Sequence, residues 1–185
     1  IKKSYYNFIS LISLLLLFFF SFLFYKFYLN SDPTIINFNN DELSSDFEME
    51  ITNNLENLDN FFDNFTFIKS FLVNRKNFEI DINIKIKEPF AKNLINEEII
   101  FTDNTLASFK FFTQNYINSI DLEDISSNSI QINNYLRQFL LEISNLFQVS
   151  QIEYVDGRRY NLYLVNGQII MLPKKITKDL LVFIK

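Results

Sequence analysis

The chain of 185 residues has no histidine, no cysteine and no tryptophan, and it contains only two glycines and three prolines. Each shortage closes a class of chemistry. Without imidazole or thiol there is no histidine base, thiolate nucleophile or soft metal site, so catalysis would fall to carboxylate, hydroxyl, phenol or lysine groups. Disulfides are impossible, and the folded parts must stand on packing. Two glycines cannot supply a G-x-G-x-x-G turn or a P-loop, which excludes phosphate cradles of those kinds. A formal net charge of −5 disfavours nucleic acid, whose phosphates need a basic face.

What is plentiful is phenylalanine, at 23 residues, within a chain that is 48% hydrophobic. The richness in Asn, Ile, Lys and Phe follows AT-rich coding, so periodicity and turn signals carry the reading. The chain starts at Ile1 and stops at Lys185 inside an apolar segment, which leads us to expect a fragment.

No charge occurs from Ser4 to Tyr25, and Phe8 to Phe24 is almost wholly Leu, Ile and Phe. Roughly 20 such residues cross a bilayer core of about 30 Å, so residues 8–28 are predicted to be a transmembrane helix in contact with the lipid bilayer. A cleaved signal peptide is the competing reading. The bulky Phe24-Tyr25-Lys26-Phe27-Tyr28 exit lacks the small residues that cleavage needs. Lys2 and Lys3 before the span, against Asp32, Asp41, Glu42 and Asp46 after it, place residues 1–7 in the cytoplasm and the bulk outside.

Residues 29–50, with Asp32-Pro33 and several Asn, read as a juxtamembrane linker and the start of the folded part. Leu55, Leu58, Phe61, Phe62 and Phe65 recur at helical spacing over Asn53 to Phe65. Phe67 to Val73 is a short apolar run that suits a strand. Phe78, Ile80, Ile82, Ile84 and Ile86 alternate with Glu79, Asp81, Asn83, Lys85 and Lys87, the pattern of a half-buried strand, which Pro89 ends. Glu97 to Phe101 is another candidate strand, and Leu106 to Ile117 fits neither period. Leu136, Phe139, Leu140, Ile143, Leu146 and Phe147 trace a second amphipathic helix. Beyond it, runs from Ile152, Arg158 and Gln168 are separated by Asp156-Gly157 and Asn166-Gly167, which predicts a three-stranded meander with type I′ turns.

The densest carboxylates, Glu97-Glu98 and Asp121, Glu123 and Asp124, lack a calcium-loop pattern and read as solvated loop. Asn64-Phe65-Thr66 matches a glycosylation sequon but lies on an apolar face. The phenylalanine clusters have no basic groove beside them and read as core or lipid contacts, not as a base-stacking platform.

The layout of a short tail, one span and a helix-and-sheet domain that ends at Pro89-Phe90-Ala91 is followed by Arg159-Tyr160-Asn161-Leu162-Tyr163-Leu164 and Asn166-Gly167-Gln168-Ile169-Ile170-Met171-Leu172-Pro173. Together these resemble the FtsQ/DivIB bacterial cell-division proteins. Tyr160 stands where the family usually carries Trp, and Asp103-Asn104-Thr105 replaces an Asp-x-x-Gly turn; Asn104 can take up the left-handed conformation that glycine would supply.

The resemblance implies an α+β fold with an N-terminal transmembrane helix, a POTRA-like domain over 51–92 and a partial C-terminal mixed β-sheet domain with flanking helices over 93–185. It implies a non-enzymatic scaffold at the division septum, in the bacterial inner membrane with its bulk periplasmic. Its partners would be divisome membrane proteins such as FtsB and FtsL, with no cofactor, metal, small-molecule substrate or nucleic acid. A generic membrane-anchored sensor or interaction module of the envelope is the alternative, and a periplasmic hydrolase lacks a visible motif. Arg158 and Arg159 are the candidate partner-binding residues; the competing reading is that they only solvate a hairpin. Tyr160, Leu162 and Leu164 share a face and are expected in the core.

Overall fold

A computed structural model describes residues 13–25, 35–76, 78–144, 146–155 and 157–176. The chain divides into two compact units, Ile1–Asn37 with Val73–Ile82 and Phe38–Leu72 with Asn83–Lys185.

The predicted membrane span is overturned. Residues 13–25 are helical. Residues 8–12 and 26–28 of the predicted span lie outside the described residues. Among the described residues no helix is long and apolar enough to cross a membrane.

In the smaller unit the strand alternation appears as predicted. Strands β1 (Ile35–Phe38), β2 (Ile68–Lys76) and β3 (Glu79–Ile86) form a sheet in the order β1-β3-β2, with β2 and β3 continuing into the larger unit. Ile35 N–H donates to Phe78 O at 3.1 Å, Asn37 Nδ2 donates to Asp81 Oδ1 at 2.9 Å, and Ile80 and Ile82 are buried.

In the larger unit, the segment taken for linker holds helix α1 (Ser45–Asn53) as well as the end of β1. Ser44 caps α1 by accepting the Phe47 N–H at 3.3 Å, with Asp46 and Glu48 in the first turn. The helix predicted over 53–65 is broken into a 3₁₀ turn, Leu55–Asn57, and a short α2, Leu58–Phe62. The asparagines account for the break: Asn54 Nδ2 donates to Glu50 O at 2.8 Å, a local bond that competes with helix continuation.

The phenylalanine excess is spent here. Phe47 lies 4.8 Å from Phe65 and 5.1 Å from Phe111, and Phe67 lies 5.0 Å from Phe112 and 5.5 Å from Phe111, between ring centroids. These edge-on and stacked pairs form an aromatic cluster within the core.

The rest of this unit is a mixed seven-stranded sheet in the order β10-β9-β8-β7-β4-β5-β6. Its strands are β4 (Pro89–Asn93), β5 (Glu98–Phe101), β6 (Leu106–Ser108), β7 (Glu123–Asp124), β8 (Val149–Val155), β9 (Arg159–Leu164) and β10 (Ile169–Pro173). β4-β5-β6 and β8-β9-β10 are antiparallel meanders, and the two-residue β7 pairs parallel with both β4 and β8. Pro89 therefore opens β4, at the first-residue position that a sheet tolerates. The unassigned stretch from Leu106 becomes β6, a 3₁₀ turn at Phe109–Phe111 and helix α3 (Gln114–Ser119).

Helix α4 (Asn134–Ser144) matches the second predicted helix, with Asn133 Oδ1 accepting the Leu136 N–H at 2.8 Å. It buries Leu136, Phe139, Leu140 and Ile143, while Leu146 and Phe147 fall beyond its end and are exposed. These side chains join Ile152, Tyr160, Leu162 and Leu172 in an aliphatic core on one face of the sheet. Tyr160, Leu162 and Leu164 are buried, as their spacing predicted.

The meander turns differ in detail from expectation. Gly167 has φ 83°, but among the described residues only Glu97 and Asn104 are non-glycines with positive φ, so Asn166 is not left-handed. Gly167 N–H donates to Leu164 O and Leu164 N–H to Gln168 O, both at 2.9 Å. The loop is thus a three-residue turn with Gly167 at the bulge, not a type I′ pair. Gly157 has φ 67°; Asp156 lies outside the described residues.

Candidate interaction surface

The register of the second meander sorts its side chains into cross-strand rows. On one face, Gln151 opposes Tyr163, which opposes Ile169; Glu153 opposes Asn161, which opposes Met171; and Val155 opposes Arg159, which opposes Pro173. The first row runs on through Glu123 of β7 to Lys92 of β4. The other face carries Ile152, Leu162, Tyr160 and Leu172 into the core. The predicted strand pattern thus yields one face committed to packing and one polar face.

Glu153 organises the polar face. Its Oε2 accepts from Tyr163 Oη at 2.7 Å and from Asn161 Nδ2 at 2.9 Å. The Tyr163 hydrogen bond, then that of Asn161, hold the Glu153 carboxyl below its usual range, with the Arg159 charge adding to the effect. The same bond pushes the Tyr163 phenol up. Next to it, Gln151 Nε2 donates to Glu123 Oε2 at 3.0 Å.

Arg158 and Arg159 are both exposed beside this cluster, and the Arg158 carbonyl accepts the Lys174 N–H at 3.1 Å. At the margin of the sheet, β10 presents Ile169 and Met171, which are 48% and 60% exposed. The two arginines, the Glu153 cluster and the apolar residues of β10 therefore belong to one meander.

The solvated-loop reading of Asp121, Glu123 and Asp124 is wrong for Asp124. That residue is fully buried and accepts four hydrogen bonds. Oδ1 takes Ser126 N–H at 3.0 Å and Ser126 Oγ at 2.5 Å; Oδ2 takes Asn93 Nδ2 at 3.1 Å and Ile130 N–H at 3.0 Å. Asn93, also fully buried, donates to Ser126 O at 3.0 Å, and its Oδ1 accepts the Ile95 and Asn96 N–H groups. Ser126 Oγ accepts the Tyr154 N–H at 2.7 Å. With every polar atom of Asp124 and Asn93 occupied, the cluster is a structural junction that ties β4, β7 and β8 together, with no group left to react. A signal for it existed: Asp124-Ile125-Ser126 is the pattern of an Asx turn, in which the side chain bonds its own backbone two residues on.

Among the described residues no three acidic side chains converge as metal ligands. Glu98 Oε2 instead accepts from Ser129 Oγ at 2.9 Å, and Glu97, with φ 54°, sits in a turn. Asn64 Nδ2 is tied to Asn60 O at 2.9 Å.

No family model matches the chain, and no curated protein matches it.

Sequence reasoning named Arg158, Arg159 and the core face of β9. It missed Glu153, Asn161 and Tyr163 because their significance depends on register: Glu153 and Tyr163 are ten residues apart in sequence and share a hydrogen bond only once β8 and β9 pair.

Proposed function

We propose that this chain is a non-catalytic docking module of the FtsQ/DivIB kind, a divisome scaffold that links membrane partners such as FtsB and FtsL at the septum of a dividing bacterium. The observation that carries the reading is the margin of the second meander. Among the described residues β10 lies at the end of the sheet, next to an arginine-aromatic strand, with Ile169 and Met171 exposed. An end strand offers backbone groups for β-augmentation, and alternating side chains give the added strand its register. The Glu153 cluster supplies fixed acceptors, and Arg159 on the same face and Arg158 in the adjoining turn supply donors, so a partner of mixed charge can be read at this margin.

Arg158→Glu combined with Arg159→Glu is expected to reduce recovery of the partner in pull-downs, with the circular dichroism spectrum unchanged. Equal recovery would remove the arginines from the surface. A fluorescent fusion is expected at midcell, with filamentation on depletion. Uniform distribution together with normal septation would refute the scaffold reading.

A further inference from the structure

Asn161 is only 7% exposed, yet its Oδ1, shielded from solvent, meets no hydrogen-bond donor among the described residues. Buried polar atoms are almost always paired, so an orphan acceptor here marks the place of a missing donor. The orientation of the amide is fixed by its neighbour. The Glu153 carboxylate, with Oε2 at 2.9 Å, can only accept, so the end of Asn161 that meets it is the NH₂. Asn161 stands between Glu153 of β8 and Met171 of β10 in one cross-strand row. With Nδ2 committed toward β8, its oxygen is turned away from that strand, to the β10 side.

The carboxylate is held as firmly as the amide. Tyr163 Oη at 2.7 Å and Asn161 Nδ2, both on β9, draw Oε2 of Glu153 off its own strand and over β9. These two bonds, with the Arg159 charge, also favour the ionised form. A charged acceptor and an orphan neutral one therefore lie together, one strand in from the open side of β10. Because buried or bonded groups hold both, little ordering is left for binding to impose.

A strand added along β10 would set one of its residues in the same row, beside Met171. Two strand spacings of about 4.8 Å each, roughly 10 Å, separate that residue from β9. Arginine is the side chain that combines such a reach with several donors, and its planar fork can give one N–H to the carboxylate and another to the amide oxygen. Met171 is unbranched and 60% exposed, so it can swing aside without disturbing the core. Residues two places to either side would lie beside Ile169, which is 48% exposed, and Pro173, and apolar side chains fit there.

We propose that the partner strand carries an arginine flanked two residues away on each side by apolar residues, and that Glu153 and Asn161 read this arginine. This selection rests on β10 serving as the docking edge, as proposed above, and adds to it the register and the residue that chooses the partner.

The test titrates the full chain with three capped pentapeptides, Val-Thr-Arg-Thr-Val and its analogues with citrulline or glutamate at the centre, observed by backbone and side-chain NMR shifts. Citrulline keeps the shape of arginine without its charge. The arginine peptide is expected to shift the β10 amides together with Tyr163 and the Asn161 side-chain amide. It should bind about tenfold more tightly than the citrulline peptide, the scale that separates a charge-assisted hydrogen bond from a neutral one, and the glutamate peptide should bind more weakly than either. Glu153→Gln keeps an oxygen for the Tyr163 bond, and should lower arginine-peptide affinity to that of the citrulline peptide while leaving the latter unchanged. An amide spectrum unaltered away from the site confirms the fold of the variant. If the β10 amides shift but arginine, citrulline and glutamate bind alike, or if Glu153→Gln keeps full affinity for arginine, the selection is overturned and the docking edge stands. If no peptide shifts β10 at millimolar concentration, both are overturned.

Discussion

The two meanders of the seven-stranded sheet are built alike and used differently. In the first, β5 buries Ile99, Ile100 and Phe101 completely. Phe101 faces the aromatic core, 6.3 Å from Phe67, while Ile100 belongs to the aliphatic core, so β5 is enclosed on both faces. In the second, β9 packs Tyr160 and Leu162 on one side, while on the other Arg159 is exposed, Tyr163 is half-buried and Asn161 between them is buried. A strand enclosed on both faces is spent on stability; a strand whose second face is polar and partly exposed, at Arg159 and Tyr163, keeps groups for recognition.

The largest effect that would break or sharpen this contrast is in the aromatic core. Phe101→Ala in β5 removes a ring that is 0% exposed and is expected to destabilise by about 3–5 kcal/mol, whereas Met171→Ala on the open face should stay within about 0.5 kcal/mol. Urea denaturation of both variants measures the difference, and similar midpoints would show that the two meanders are not specialised.

Next in size is the junction between them. Asp124→Asn turns an amide NH₂ toward Asn93 Nδ2, Ser126 or Ile130 N–H, so a buried donor faces a donor. A loss of about 2–4 kcal/mol is expected from the same measurement. A loss under about 1 kcal/mol would mean that the meanders hold together without it.

The smallest expected effect is a pH dependence at the β5-β6 turn. Lys87 Nζ donates to Asp103 Oδ2 at 2.6 Å and Thr105 Oγ1 also bonds the carboxyl, and these hold Asp103 down at about 2 against an ordinary 3.8. A carboxyl lowered in the folded state contributes stability above its unfolded value and loses it as pH falls toward the folded one. The loss should therefore run from about pH 4 to about pH 2 and, because the side chain is 49% exposed, amount to less than about 1 kcal/mol. Lys87→Met should flatten that part of the acid stability curve; an identical curve would exclude the pair as its cause.

Local patterns in the chain were legible where one periodicity ruled. The Ile80-Ile82-Ile84 alternation, the helix around Leu136 and the meander after Ile152 all stand, and Asn104 takes φ 68° where a glycine-type turn was expected. The break of the 53–65 helix was not legible, because side-chain bonds from Asn54 compete with a correct apolar spacing. Nor was the burial of Asp124, since its partners Asn93 and Ile130 lie 31 and 6 residues away and meet it only after the sheet forms. The span over 8–28 rested on apolar length, and among the described residues no helix is long and apolar enough to cross a membrane.

β7 also has a kinetic meaning. Each meander closes through short hairpin loops, contacts that form early because little chain entropy opposes them. β7 instead pairs Glu123 with Lys92 and Asp124 with Ile152, across much longer stretches of chain. Two residues thus carry the strand pairing between two locally made halves, so the halves should form before they are stitched together. Substitution at Asp124 is then expected to speed unfolding more than it slows folding, which stopped-flow chevrons of Asp124→Asn would reveal; a change confined to the folding limb would place the junction in the nucleus instead.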